Sequence, residues 1–381
     1  MSARSPHEPH RVATPLELLF DLVFVGAVAQ AAGGLDHAIV SGHALEGLGG
    51  YAMVFFAIWW AWMNFTWFAS AYDNDDALYR VLVFVQMAGV LLLAAGVPRA
   101  FEHRDFDVVL AGYLVMRAAL ATLWLRAAHH DSSRRGTDRR YAAGVSLCMI
   151  GWAAVGIIGW PVWAFVLMGA VELVVPMWAE AVEPTTWHPE HIAERYGLFT
   201  LIVLGECVLA ATTAVEGAVS ESGLSWPLVL TAVGALLLVF GTWWSYFKTP
   251  VGELLRESRN LAFLWGYGHY FVFAAIAALG AGLSLAAESA QHTAHVPDVV
   301  AALAVAVPVV VYLVTLLLVD GPLYRSAPLP VASVVVACVG MFAAVGVAHV
   351  QGTPVGILLM GLIMSGMLAF HMLRVYRASS D

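Results

Sequence analysis

Charge is scarce in this 381-residue chain: Asp, Glu, Lys and Arg make up 12% of it while 61% is hydrophobic, and the mean hydropathy is +0.79. A water-soluble domain has too little interior to hide that much apolar surface, so the composition excludes a soluble fold and points to an all-α polytopic membrane protein. Cysteine is nearly absent as well. Cys148, Cys207 and Cys338 all fall inside apolar runs, which makes them small core residues and leaves no disulfide framework to expect. Also missing are a nucleotide-binding loop, a Ser-His-Asp order in a hydrolase context and any extramembrane stretch large enough for a separate domain. Those gaps argue against ATP-driven transport and against an enzyme; no cofactor and no metal is expected. No basic block suggests nucleic acid, and the net charge of −9 says little about partners, because lipid and two aqueous faces divide the charges between them.

What is present is a series of apolar runs, each long enough to cross about 30 Å of hydrocarbon at about 1.5 Å per residue. They lie near 16–34, 46–70, 78–98, 106–127, 141–160 and 162–180, and again near 196–214, 226–247, 261–285, 298–319, 330–348 and 354–373. Of the 18 basic residues, Arg99 and Arg104 lie on one face and Arg117 within a span, and the rest crowd the other face, with Arg126, Arg134, Arg135, Arg139 and Arg140 around one loop. The positive-inside rule then places both termini in the cytoplasm of a bacterial inner membrane. Arg4 and Arg11 precede a stretch ending Ala27-Val28-Ala29, as in a signal peptide, but Glu17 and Asp21 interrupt it, so the first span is expected to stay.

The two sets of six spans are copies. Phe20-Asp21-Leu22-Val23-Phe24-Val25-Gly26 is answered by Phe199-Thr200-Leu201-Ile202-Val203-Leu204-Gly205, and Phe56 to Trp62 by Phe240 to Tyr246. Gly96 matches Gly280, Cys148 matches Cys338, and Trp152 to Gly156 match Phe342 to Gly346. An even number of spans per copy makes this a parallel repeat about an axis along the membrane normal. The expected organisation is a polar, loosely held tail over 1–13, a first six-helix repeat over 14–182, a connector over 183–193, a second repeat over 194–373 and a tail over 374–381. Thr14-Pro15-Leu16-Glu17 is a capping box that starts the first helix sharply.

Two stretches carry a family signature. Thr14 to Val25, and Glu194-Arg195-Tyr196-Gly197-Leu198-Phe199-Thr200-Leu201-Ile202-Val203-Leu204-Gly205-Glu206, resemble the motifs of the bacterial low temperature requirement A family, and the aromatic second span and Tyr72-Asp73-Asn74-Asp75-Asp76 extend the resemblance over nearly the whole chain. Cys207 stands where the family usually has Ser, and Gly26 where a bulkier residue is common. The resemblance implies a multi-pass inner-membrane protein linked by name to growth in the cold, with neither a substrate nor a reaction. A similarity of the Phe-Asp-x-x-Phe kind to the lysosomal potassium channel family is one of fold alone.

Ionisable groups within a span need a partner or a wet cavity. Arg117, Glu172 and Glu206 each sit about ten residues into a span, near the midplane, as one possible cluster with an excess carboxylate. Against the repeat, Glu206 aligns with Ala27, Glu172 near Met364 and Arg117 near Val305, so none is needed merely to build the six-helix unit. Asp21, Asn64, Gln86 and His269 lie shallower on the cytoplasmic side. Glu17 shares a helix face with Asp21 but is already used by the capping box. Thr200 is the uncharged counterpart of Asp21, and Glu194 and Arg195 suit a membrane-edge anchor or a pair bridging the copies. His188, His191 and Glu194 have helix-like spacing but form too loose a set for zinc. The band Trp59, Trp60, Trp62, Phe65, Trp67 and Phe68 combines an interfacial belt with packing between copies.

The leading expectation is a secondary transporter, proton- or ion-coupled, in which Asp21 and Glu206 hold the ion and Arg117 and Glu172 are partner charges. The rivals are a cation channel lined by spans 1 and 7 and a membrane sensor or lipid-associated factor that moves nothing. The partners expected are the bilayer and a small solute or ion, with a homo-oligomer possible.

Overall fold

The computed structural model describes residues 3–5, 8, 11–218, 225–248, 250–291, 293–323 and 330–380, with the backbone alone at 218 and 378–380. Every regular element among them is helical: α1 (Pro15–Val40), α2 (Ala44–Tyr72), α3 (Ala77–His103), α4 (Asp107–His130), α5 (Arg135–Ile157), α6 (Val162–Glu180), α7 (Pro189–Ala218), α8 (Trp226–Phe247), the short α9 (Val251–Glu257), α10 (Ala262–Ala290), α11 (Asp298–Asp320), α12 (Val331–Gln351) and α13 (Thr353–Ser380). Twelve helices among the described residues are long and apolar enough to span a bilayer. In lipid a helix satisfies its own backbone, which is why this architecture follows from the composition.

The chain divides into two compact units, residues 1–34 with 48–199, and 35–47 with 200–381. In the first unit α3 and α4 pack backbone to backbone. A Cβ on Gly112 would lie 2.4 Å from the Leu93 nitrogen, and one on Gly96 2.6 Å from the Val109 nitrogen. Between helices that gain nothing from excluding lipid, such close approach supplies the dispersion contacts that hold them together. α4, α5 and α6 follow as neighbours, and α2 lays Phe56 on α6 at Gly169 and Phe165. In the second unit α10 and α11 meet at Gly282, whose Cβ would fall on the Ala304 carbonyl, and α8 meets α13 through Gly234 and Gly361. Leu147, Ile157, Val336 and Val350 turn outward, as lipid-facing residues do.

Three sequence expectations change. The aromatic band of α2 is no belt: Trp59, Trp60, Trp62, Phe65 and Phe68 are all at most 1% exposed and form the core of the first unit, while Trp243 and Trp244 are each 46% exposed. Several faces of α2 are covered by protein, so aromatic rings spaced around it fill a core. α7 begins at Pro189, well before its apolar run, so the second half of the connector is its first turn. Among the described tail residues Arg11 is tied down: it is buried and donates to the Ala69 carbonyl at 2.7 Å and to that of Ser70, at the C-terminal end of α2.

Candidate functional site

Two helix segments of the first unit each present an i, i+4 pair on one face: Glu17 and Asp21 on α1, His191 and Arg195 on α7. The pairs meet. Arg195 places Nη1 2.9 Å from Glu17 Oε1, Nη2 2.5 Å from Asp21 Oδ1 and Nε 2.9 Å from Asp21 Oδ2. His191 Nε2 lies 3.1 Å from Glu17 Oε1. The α2 side contributes Trp62, whose indole N–H donates to Asp21 at 2.7 Å, and Thr66, whose hydroxyl accepts from Arg195 at 3.4 Å. The capping box is present beneath: the Thr14 N–H donates to Glu17 at 2.8 Å and the Glu17 N–H to the Thr14 hydroxyl at 3.3 Å. Glu17 therefore holds two jobs, starting α1 and pairing with Arg195.

All four ionisable side chains are at most 1% exposed. The wall is aromatic, with Phe20 on Phe65 at 4.1 Å, Trp62 stacked on Phe199 at 4.3 Å and Trp62 edge-on to Tyr196 at 4.9 Å. Such surroundings lower the local dielectric, which strengthens the pairing and makes any unpaired charge expensive. Beyond the ion-paired Glu17 Oε1 and Arg195 Nη1, two polar atoms keep unused capacity. His191 Nδ1 and the hydroxyl of buried Tyr79 have no hydrogen-bond partner among the described residues, and Tyr79 stands within electrostatic reach of both Glu17 and Arg195. Above the cluster, the Ala13 N–H donates to Glu194 at 3.0 Å, the His188 N–H to the Ser70 hydroxyl at 2.9 Å, and His188 Nε2 lies 3.0 Å from the Glu8 carbonyl. His188, His191 and Glu194 thus turn to different partners.

The expected cluster of Arg117, Glu172 and Glu206 does not form. Arg117 of α4 and Glu172 of α6 make a buried pair at 2.7 Å in the first unit. Tyr113 donates to Glu172 at 3.0 Å and Trp152 at 3.1 Å, and Arg117 also hydrogen-bonds Tyr113 and lies over its ring. That set is one plus against one minus. Glu206 belongs to the second unit, backed by Gly280, and its half-buried carboxylate has no hydrogen bond or ion pair among the described residues. Asn64 donates to the Trp60 carbonyl at 2.8 Å, and Gln86 is buried with its amide nitrogen unpartnered among the described residues. In the second unit His269 lies 3.1 Å from the Tyr246 hydroxyl, and Tyr246 shares a hydrogen bond with Thr200.

The sequence suits Arg195 to a membrane-edge anchor or to a bridging pair, and the structure buries it completely against Glu17 and Asp21 of α1. The early start of α7 is the reason, because it carries residue 195 a turn and a half into the helix and toward α1. The overlooked signal was the pair of i, i+4 patterns of opposite character.

Just outside the second span, Asp73 is buried near Glu17 and Arg4, whose guanidinium is 3.5 Å away. Burial, with the Glu17 charge, pushes its carboxyl up to about 6 against the pull of Arg11 and Arg4. The folded chain therefore retains a proton that the unfolded chain has released, and stability falls as pH rises from about 4 to about 6. Asp73→Asn is expected to remove this slope and to leave the protein more stable above pH 6, by at most about 3 kcal/mol. Unfolding of both proteins in detergent across that range checks it; parallel curves would refute it. Asp76, by contrast, is held down to about 2 by Arg126, while also capping α3 through the Tyr79 N–H.

Over 297 residues the chain is 27% identical to an uncharacterized protein of Rhizobium meliloti (strain 1021), covering 71% of this chain and 69% of the relative. Residues 12–373, which include eleven spanning helices whole, most of the twelfth and all members of the buried cluster, match the family model described as bacterial low temperature requirement A protein, and the chain belongs to that family.

Proposed function

We propose that the protein is a proton-coupled secondary transporter of the bacterial inner membrane, and that Glu17, Asp21, His191 and Arg195 form its proton site. The observation that carries this reading is a charge count: two carboxylates share one guanidinium at full burial. With His191 neutral the set carries one net negative charge, and a single added proton, on the imidazole or on a carboxyl, makes it neutral. A buried site that reaches neutrality only by taking up one proton is suited to alternate between two states. The unused His191 Nδ1 and Tyr79 hydroxyl offer steps for that proton. The chemistry on offer is proton exchange and charge compensation rather than bond cleavage.

The same reading includes two parallel six-helix copies with both termini cytoplasmic. In its support, the Asp21–Trp62 hydrogen bond is answered at the aligned positions by Thr200 with Tyr246, and the contact of the second with the sixth span recurs as α8 on α13. The second copy keeps the hydrogen bond but not the charge, which confines ionisation to one copy. Glu206, without a polar partner among the described residues, is the place where a transported cation would meet an acidic group in the other.

Reconstitution in liposomes tests this. Internal pH is recorded together with membrane current while potassium or sodium gradients are imposed. A pH response lost in Asp21→Asn and Glu17→Gln, in folded variants, is the expected result. Single-channel currents would replace the carrier with a channel, and silence in both assays would leave a non-transporting sensor.

A further inference from the structure

We infer that the cleft between α12 and α13 binds an anionic phospholipid, with its phosphate on Arg374 and an acyl chain along the helices. The two helices are pinned at one end and open at the other. Near their tight connection at Gly352, whose φ is +92°, they touch closely: a Cβ on Gly356 would lie 2.6 Å from that of Ala348. Toward the start of α12 and the end of α13 they separate around a groove of about 660 Å³. Val336, Ile363, Met367 and Phe370 give it apolar walls, and a Cβ on Gly366, also in the wall, would meet nothing within 4 Å. From Ile363 to Arg374 the groove follows about 17 Å of helix, close to the roughly 15 Å of hydrocarbon in one leaflet. An acyl chain thus fits its length and its chemistry.

The open end selects the headgroup. Arg374 lines it together with Ser333. The charges of Lys248 and Arg374 both reach His371, one turn back on α13, and Arg377 stands one turn further on. Neither Arg374 nor Arg377 has an acidic partner among the described residues. A guanidinium without an acidic partner among the described residues, at the end of an acyl-sized groove, complements a phosphodiester that carries net negative charge, and it distinguishes such a lipid from a zwitterionic one of the same shape.

Native mass spectrometry of the full-length protein in mild detergent decides the matter, with phosphatidylglycerol, phosphatidylethanolamine or inorganic phosphate added. One phosphatidylglycerol per chain is expected to persist under conditions that strip phosphatidylethanolamine. Arg374→Gln is expected to lower its retention about tenfold, the usual effect of losing one charge-assisted contact. Gly366→Phe fills open space and is expected to do the same while thermal unfolding stays unchanged. Equal retention by wild type and both variants, equal retention of phosphatidylethanolamine, or displacement of the lipid by inorganic phosphate would each overturn the assignment.

Discussion

Arg195→Gln is expected to lose about 3–5 kcal/mol of stability, the usual consequence of stranding buried charge when one partner of an ion pair is removed. Here the effect is compounded, because one guanidinium serves both Glu17 and Asp21. Its removal leaves two carboxylates facing each other in an aromatic wall, with only the Trp62 indole, the Thr14 N–H and His191 to answer them. A few kcal/mol is a large part of the stability of an ordinary fold, so poor yield and a shifted elution profile are the first signs to look for. Neutralising the acids as well, in Glu17→Gln/Asp21→Asn/Arg195→Gln, is expected to restore most of the loss, since the penalty lies in unpaired charge rather than in lost contacts. Arg195→Lys keeps the charge but has no planar fork to reach both acids, and falls between. Unfolding curves of the four proteins in one detergent test the account. An Arg195→Gln protein as stable as wild type would refute it.

How much of this was legible beforehand depends on which forces dominate at each residue. The spans follow from apolar length alone, because a bilayer imposes that length regardless of neighbours, and twelve helices of spanning length are present. The capping box was readable because Thr14 and Glu17 interact across three residues of one chain segment. The buried cluster was only half readable. Asp21 stood out as an acid with an uncharged repeat equivalent, but its partner lies 174 residues away and depends on where α7 begins. Apolar periodicity placed that start too late, since Pro189 to Arg195 is polar and still helical, with Glu194 accepting from the tail and His191 and Arg195 turned to Glu17 of α1. The α2 aromatics were misplaced for a related reason: composition alone cannot distinguish a lipid-facing tryptophan from one covered by other helices. The midplane cluster failed because counting residues along a span gives depth but not azimuth. Arg117 and Glu172 do meet, at 2.7 Å, while Glu206 belongs to the other unit.

The Arg117–Glu172 pair separates a structural ion pair from a functional one. Glu172→Met is expected to cost about 3–5 kcal/mol, because Arg117 is then charged and dry. Arg117→Leu/Glu172→Met is expected to recover about half of that. The sequence offers a precedent, since Val305 and Met364, near which Arg117 and Glu172 fall when the two halves of the chain are compared, are both fully buried. A remainder of about 1–3 kcal/mol should persist, because the Tyr113 hydroxyl and the Trp152 indole lose their acceptor. Transport then decides the role. Arg117 and Glu172 balance each other without a proton, unlike the cluster at Arg195, so under the proposed transport function the double variant is expected to keep proton-coupled flux in liposomes at near wild-type level. A folded double variant that has lost flux would place this pair on the conduction path and move the proton site away from Glu17 and Asp21.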